Sequence, residues 1–389
     1  MGSFDQNITD LMRKYAIPGG AVAVMRDGKL VYARGFGYAD VENKTPVQPD
    51  ALFRVASVSK TITSAAIMKL VEEGKLKLDD RVAPFIAHLT PAPGANVDPR
   101  WEQITIRHLL NHTGGWDRTK PNGGFDPIDR PAIAAAAVNA PAPASAETLI
   151  RYMKGMPLDF DPGEKFAYSN FGYIILGRVI ERVSGMPYKD YVRARVLQPV
   201  GANRTQQGKS RMRDALADEV KYYMPWEPGL GMTVLVPSVF PGEGTVPFNY
   251  GGFHLEAGDA SGAWVSSTID LLRFLAGVDG RSNRPDILSA GLVAEMTGSG
   301  ATVCASGACY YAAGWFVRPT QGDASWWHGG TLPGTTAMLV RTYHNFSLVG
   351  LFNARSLTAN LEAELDAALW NALAGVTSFP THDLFSSFR

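Results

Sequence analysis

The chain has 389 residues, 46% of them hydrophobic and 19% charged, with 37 basic residues against 37 acidic ones. That is enough to bury one large core or two closely packed ones. A formal net charge of zero gives no electrostatic reason to expect nucleic acid or an anionic membrane as partner, and no apolar run approaches the ~18–20 residues of a membrane-spanning helix.

The N-terminus carries neither the basic nor the apolar stretch of a signal peptide. An amphipathic helix is predicted over about residues 5–15. Two β-rich runs follow in GGAVAVMRDGKLVYARGFGYAD, and Asp27-Gly28 between them is a hairpin signal. SVSKTITSAAIMKLVEEGK reads as a helix stopped by Gly74. Residues 79–220 read as mostly helical, broken by Pro/Gly loops. The periodicity is plain in NFGYIILGRVIERVSG, which Gly185 closes. Residues 222–264 lose it and turn rich in Pro, Gly and aromatics, as long functional loops do. There Tyr222, Tyr223, Trp226, Phe248 and Tyr250 either line a pocket or pack the loop. A helix near 268–277 leads to four strand candidates, YYAAGWFVRP, ASWWHGG, TTAMLVRTY and FSLVGLFNA, and LEAELDAALWNALAG closes as a helix.

The fold class that follows is α+β. One antiparallel sheet is built from both chain ends, with helices on its faces and a mostly helical insert. The expected division is a sheet domain of residues 1–78 and 265–389 and a mostly helical domain of residues 79–264 that carries the substrate-site loops.

Three short elements carry candidate chemistry. In Ser57-Val58-Ser59-Lys60 the first and last residues are three apart, so on a helix they share a face. A serine needs a base within hydrogen-bond reach, and a lysine buried among residues such as Val55 and Ile62 loses enough basicity to serve. The plainer alternative is Ser57 as a helix N-cap with Lys60 solvated. In Tyr168-Ser169-Asn170 the outer residues alternate around Ser169. The tyrosine can relay a proton and the asparagine can orient a substrate amide, unless Ser169 or Asn170 is simply an N-cap. In His328-Gly329-Gly330-Thr331 a strand is expected to end, with two glycines that let backbone approach a ligand. The Ser57 and Thr331 N–H groups would then form an oxyanion hole.

Taken in order, these three elements resemble the serine β-lactamase and penicillin-binding-protein superfamily, in its class C-like branch. That branch includes β-lactamase-like esterases, D-Ala-D-Ala carboxypeptidases and D-aminopeptidases. Its signature is Ser-x-x-Lys, Tyr-x-Asn, then Lys-Thr-Gly or His-x-Gly. ITIRHLLNHTGG and YSNFGYIILGRVIERVSGMPY are also similar to the branch. The resemblance implies Ser57 as acylated nucleophile, Lys60 as its proton acceptor, Tyr168 as general base and acid, and Asn170 as substrate-amide ligand. It places His328 at the cationic position of the third motif, where it would meet a substrate carboxylate, with Gly329, Gly330 and Thr331 beside the substrate. It implies no cofactor or metal, and a small ester, amide or peptide as substrate. Because histidine replaces the lactamase lysine, an esterase or D-amino-acid peptidase is expected ahead of a β-lactamase. Acyl transfer and a non-catalytic scaffold are the other outcomes.

Other matches lead elsewhere. His112-Thr113-Gly114 spells a third motif but follows a helix and precedes Tyr168, so it reads as a helix-ending loop. His108 and His112 stand four apart without the glutamate of a His-Glu-x-x-His zinc site, which favours a structural role. Tyr343-His344-Asn345 reads as a hairpin turn. No Gly-x-Ser-x-Gly elbow occurs. Cys304 and Cys309 either close a small disulfide loop in an oxidising compartment or stay reduced in a cytoplasmic one. Sequence leaves both open, and the oligomeric state with them.

Overall fold

A computed structural model describes residues 1–121, 123–224, 233–303 and 307–388. Nine strands form one sheet, in the spatial order Thr45–Pro46, Lys29–Asp40, Gly19–Arg26, Phe346–Phe352, Thr335–Arg341, Asp323–Leu332, Trp315–Thr320, Tyr310–Ala312 and Ala301–Thr302. Each neighbouring pair is antiparallel. The first hairpin turns at Asp27 and Gly28, both with positive φ (+49° and +76°), the geometry a right-twisted two-residue hairpin requires. It docks on the last strand, with Val24 opposite Leu348, so the two chain ends meet in the middle of the sheet. A second hairpin turns at Tyr343-His344-Asn345, where Asn345 has φ +63°. YYAAGWFVRP, expected as one strand, is two. The chain folds back at Ala313-Gly314, and Ala312 pairs with Trp315.

Both faces of the sheet are covered. On one, the terminal helices Gly2–Lys14 and Leu361–Ala374 pack Phe4, Ile8, Leu365 and Leu369 against Val22, Val24, Val340 and Leu348. On the other, Ser59–Glu72 and Thr268–Ala276 cover Ala21, Ala23, Leu339 and Leu351. The helix Ser59–Glu72 is buried almost all round, Ser59 through Met68 without exception, as a helix in the middle of a large core must be. Gly74 (φ +68°) follows it. Lys60 therefore lies inside the protein, fully buried.

Between the two sheet-forming ends run the helices Ile106–Leu110, Pro131–Ala137, Ala146–Lys154, Asn170–Ser184 and Tyr188–Val192, joined by loops. Ser169 is the N-cap of Asn170–Ser184, its hydroxyl accepting from the Gly172 N–H at 3.3 Å, and Gly185 (φ +71°) ends it. In the aromatic stretch, Leu235–Pro237 pairs with Thr245–Pro247. Tyr222 and Tyr250 pack on the buried Arg54, whose guanidinium sits 4.4 and 5.4 Å from their ring centres and donates to the Asn249 and Lys209 carbonyls at 2.8 Å. Tyr222 and Tyr250 thus pack the loop and Tyr223 is buried, while Phe248 and Tyr250 each border a cavity. Trp226 and Cys304 lie outside the described residues, and the Cys304–Cys309 pairing with them.

Candidate active site

Ser57 sits in a 3-10 turn, Ala56–Val58, immediately before the helix that begins at Ser59. Ala56 has φ +48°, a conformation that costs an L residue about 1–2 kcal/mol and is held here by the packing around it. The turn is pinned on one side by the Val55 N–H, which donates to the Trp264 carbonyl at 2.9 Å. On the other side lies the strand Asp323–Leu332. A Cβ on Gly330 would stand 2.5 Å from Val55 O and 2.9 Å from Ser57 N, so only glycine lets the strand lie this close to the serine. Gly330 serves this backbone approach rather than ending the strand, which continues to Leu332. Gly329 makes room for the Glu362 side chain of the C-terminal helix.

Lys60 reaches Ser57 from one turn along. Its Nζ lies 3.1 Å from Ser57 Oγ, 2.7 Å from Asn170 Oδ1 and 2.7 Å from the Ser261 carbonyl. Two of those three partners can only accept. When Lys60 is neutral, the amide and the carbonyl take its two N–H bonds and its lone pair is left for the serine hydroxyl; when it is an ammonium, its third N–H points to Ser57 Oγ instead. Burial holds the Lys60 pKa well below the usual lysine value. Asp126 opposes that shift and Arg118 adds to it.

Tyr168 and Asn170 flank the N-cap Ser169, which places both beside Lys60. Lys60 Nζ is 4.9 Å from the Tyr168 ring centre. Burial raises the Tyr168 pKa while the Ser57 hydroxyl and the Arg118 charge pull it down, so the phenol is protonated at neutral pH. A protonated Tyr168 can deliver a proton. Asn170 donates through Nδ2 to Asp126 Oδ2 at 2.8 Å.

His328 departs from expectation. It is 2% exposed and points into the protein. Its Nδ1 is 2.6 Å from the Gly329 carbonyl, which can only accept, so that nitrogen carries the proton and Nε2 accepts from the Tyr311 hydroxyl at 3.0 Å. Burial first, then the Lys60 charge, lower its pKa to about 3. It is neutral throughout the working range and is not part of the cavity wall. The expected pairing of a histidine cation with a substrate carboxylate is therefore corrected. In an Asp129→Asn protein, which removes the cavity carboxyl that burial pushes up to about 6, activity on carboxylate-bearing and neutral substrates should run parallel through pH 6–7, where an ordinary histidine titrates. A divergence centred there in the pH profiles of the two substrates would contradict this placement. Stability has the opposite sensitivity. From pH 6.5 down to about 3 the unfolded chain binds a proton that folded His328 does not, so stability falls as pH falls.

His112 lies beside this cluster. Its ring centre is 4.1 Å from Tyr168 and 4.6 Å from Tyr311, and its Nδ1 accepts from the Ser169 N–H at 3.1 Å. It fixes the backbone between Tyr168 and Asn170. His108 closes a capping box with Thr105.

Ser57, Asn170 and Thr331 open on a cavity of about 470 Å³. One wall is apolar, with Ile128, Val239, Phe248, Phe253 and Leu255; Arg118, Arg355 and Asp129 supply charge. Arg118, Asp126, Arg355 and the Ser261 carbonyl are site groups that sequence reasoning missed. Asp126-Pro127 does announce a capped turn, and Asp126 caps it. A backbone carbonyl leaves no side-chain signal.

An antiparallel sheet with helices on both faces, and a Ser-x-x-Lys turn against a glycine-bearing strand, is the architecture of the penicillin-binding proteins and class C β-lactamases. A family model described as Beta-lactamase matches residues 4–369, and the chain belongs to that family. It is 28% identical over 363 residues to penicillin-binding protein 4* of Bacillus subtilis, covering 90% of this chain and 71% of the relative. It is 27% identical to protein flp of Staphylococcus aureus over 90% of this chain, and spans only 63% of that protein's length. Among solved structures, an octameric penicillin-binding protein homologue from Pyrococcus abyssi superposes with a TM-score of 0.72 at 28% identity, over 95% of this chain and 77% of its own. D-amino acid amidase from Ochrobactrum anthropi superposes with the same TM-score at 22% identity, over 96% and 97%.

Proposed function

We propose that this protein is a serine hydrolase that cleaves an ester or amide through an acyl-enzyme on Ser57, with a β-lactamase-like carboxylesterase or D-amino-acid amide hydrolase as the activity. The observation that carries the reading is the three-point setting of Lys60 Nζ against Ser57 Oγ, Asn170 Oδ1 and the Ser261 carbonyl, which leaves a neutral Lys60 its lone pair for the serine. In the first half-reaction the Ser57 hydroxyl proton passes to Lys60 as Oγ bonds to the substrate carbonyl carbon. The oxyanion is received by the Ser57 and Thr331 N–H groups. Tyr168 protonates the departing oxygen or nitrogen as the scissile bond breaks, and recovers its proton from the Lys60 ammonium. Water then attacks the acyl carbonyl, giving its proton to Lys60. Ser57 Oγ leaves as it takes a proton from Tyr168, which Lys60 reprotonates, restoring the free enzyme.

The apolar wall suits an acyl group or side chain of moderate size. Arg118 and Arg355, not His328, are the cations a carboxylate would meet there. The resemblance to a D-amino acid amidase supports the amide branch. Esters carry a better leaving group and need less from Tyr168, so they should be turned over faster than amides of the same acyl group. A panel of p-nitrophenyl esters, D- and L-amino-acid amides and nitrocefin on one preparation tests the reading. Turnover of esters or D-amides above nitrocefin supports it, and efficient nitrocefin hydrolysis alone would replace it with a lactamase. Tyr168→Phe keeps the ring and removes the hydroxyl. It should lower kcat by about 10²-fold or more, and more for amides than for activated esters. A change in KM alone would make Tyr168 a binding residue.

A further inference from the structure

We propose that Asp126 is a positioning residue that aims Lys60 at Ser57 by fixing which way Asn170 faces; the inference rests on the hydrolase reading above. The two ends of an asparagine amide have the same shape, so neighbours decide which faces where. Asn170 lies between Asp126 Oδ2, 2.8 Å from Nδ2, and Lys60 Nζ, 2.7 Å from Oδ1. A carboxylate only accepts, so it holds the NH₂ end and leaves the oxygen for Lys60. The reversed amide would set oxygen against carboxylate and N–H against N–H. With Asn170 Oδ1 and the Ser261 carbonyl both accepting, the Lys60 lone pair has one direction left, toward Ser57.

Asp126 is itself held in place. It is 3% exposed, its Oδ1 accepts from the Ile128 N–H at 3.3 Å at the start of its own turn, and Arg118 stands 3.8 Å from Oδ2. The series Arg118, Asp126, Asn170, Lys60 thus runs from the cavity wall, where Arg118 is 41% exposed, to the nucleophile. Lys60 is also faced by the Tyr168 and Tyr173 rings, with the buried, neutral His112 and His328 behind them. Asp126 and Arg118 are the charged side chains that act on it.

The test is the pH profile of kcat/KM on an uncharged p-nitrophenyl ester, run in an Asp129→Asn background. Asp129 lines the same cavity, and burial and Asp126 push its own pKa up to about 6. The acidic limb then reports the free enzyme's remaining ionisations. Asp126→Asn removes the charge that favours protonated Lys60. Its acidic limb should move to lower pH by about one unit, with kcat/KM reduced about tenfold or more because Asn170 is free to turn over. Asp126→Ser keeps a capping oxygen for Ile128 and should shift the limb the same way, which guards against loss of the turn. The exchange Asp126→Asn with Asn170→Asp restores the donor-acceptor order and brings the charge next to Lys60. Its limb should move above the position in that background. Variants that melt like wild type while all limbs stay in place would overturn the proposal. An active Ser57→Ala enzyme would instead remove the hydrolase reading itself, so the two failures are distinguishable.

Discussion

Lys60→Met should lower kcat/KM by about 10³-fold or more on every substrate, with the loss in acylation. Methionine keeps most of the buried volume and removes the amine, so the change isolates the proton acceptor from packing. The remaining candidates cannot replace it. Tyr168 is held protonated, and His328 is turned toward Tyr311 and the Gly329 carbonyl. The Asn170 oxygen and the Ser261 carbonyl lose their shared donor, which adds about 1–3 kcal/mol of destabilisation for each one left buried without water. A thermal melt therefore accompanies the kinetics. Pre-steady-state acylation at the wild-type rate in a folded Lys60→Met protein would mean that another group takes the Ser57 proton.

Gly330→Ala should be nearly as damaging, although the residue touches the chemistry only through backbone. The added methyl would meet Val55 O and Ser57 N at 2.5 and 2.9 Å, and Ala56 behind them already occupies a strained conformation. Either the strand or the nucleophile turn must move by several tenths of an ångström. That separates the Ser57 and Thr331 N–H groups proposed to receive the oxyanion, and losing one such donor costs about 10²–10³ in kcat. KM should change much less. The control is Gly322→Ala at the Thr320–Asp323 turn on the far end of the same strand pair, where a Cβ meets nothing within 4 Å. Any strain from its positive φ should cost stability and leave kcat intact. Equal activity of the two variants would contradict the close-approach account.

These two predictions mark where the sequence could be read and where it could not. That Ser57 and Lys60 would touch was legible because spacing on a helix fixes relative direction within one turn. That Asn170, 110 residues on, meets Lys60 was legible only through the resemblance. The hairpins at Asp27-Gly28 and Asn345, and the helix end at Gly185, were legible because each needs positive φ, which few residues supply. His328 was misread for a tertiary reason. Whether a strand residue meets the cavity or the core depends on what the neighbouring strand brings, and Tyr311 arrives from a hairpin that sequence showed as one continuous strand. Gly330 was seen as a place for close backbone approach, and the serine's own turn is what comes close to it. Asp126 was hidden because Asp before Pro is explained by capping alone, and nothing local says that its second oxygen also holds an asparagine 44 residues on.

The central claim is that Ser57 is the residue acylated, and stoichiometric labelling followed by peptide mapping tests it most directly. Protein treated with a fluorophosphonate, or quenched during turnover of a slow p-nitrophenyl ester, should gain one adduct per chain, on the peptide that contains Ser57. Ser57→Ala should gain none and should hydrolyse none of the substrates the parent accepts. An adduct on a different residue, or full hydrolysis by Ser57→Ala, would contradict the account.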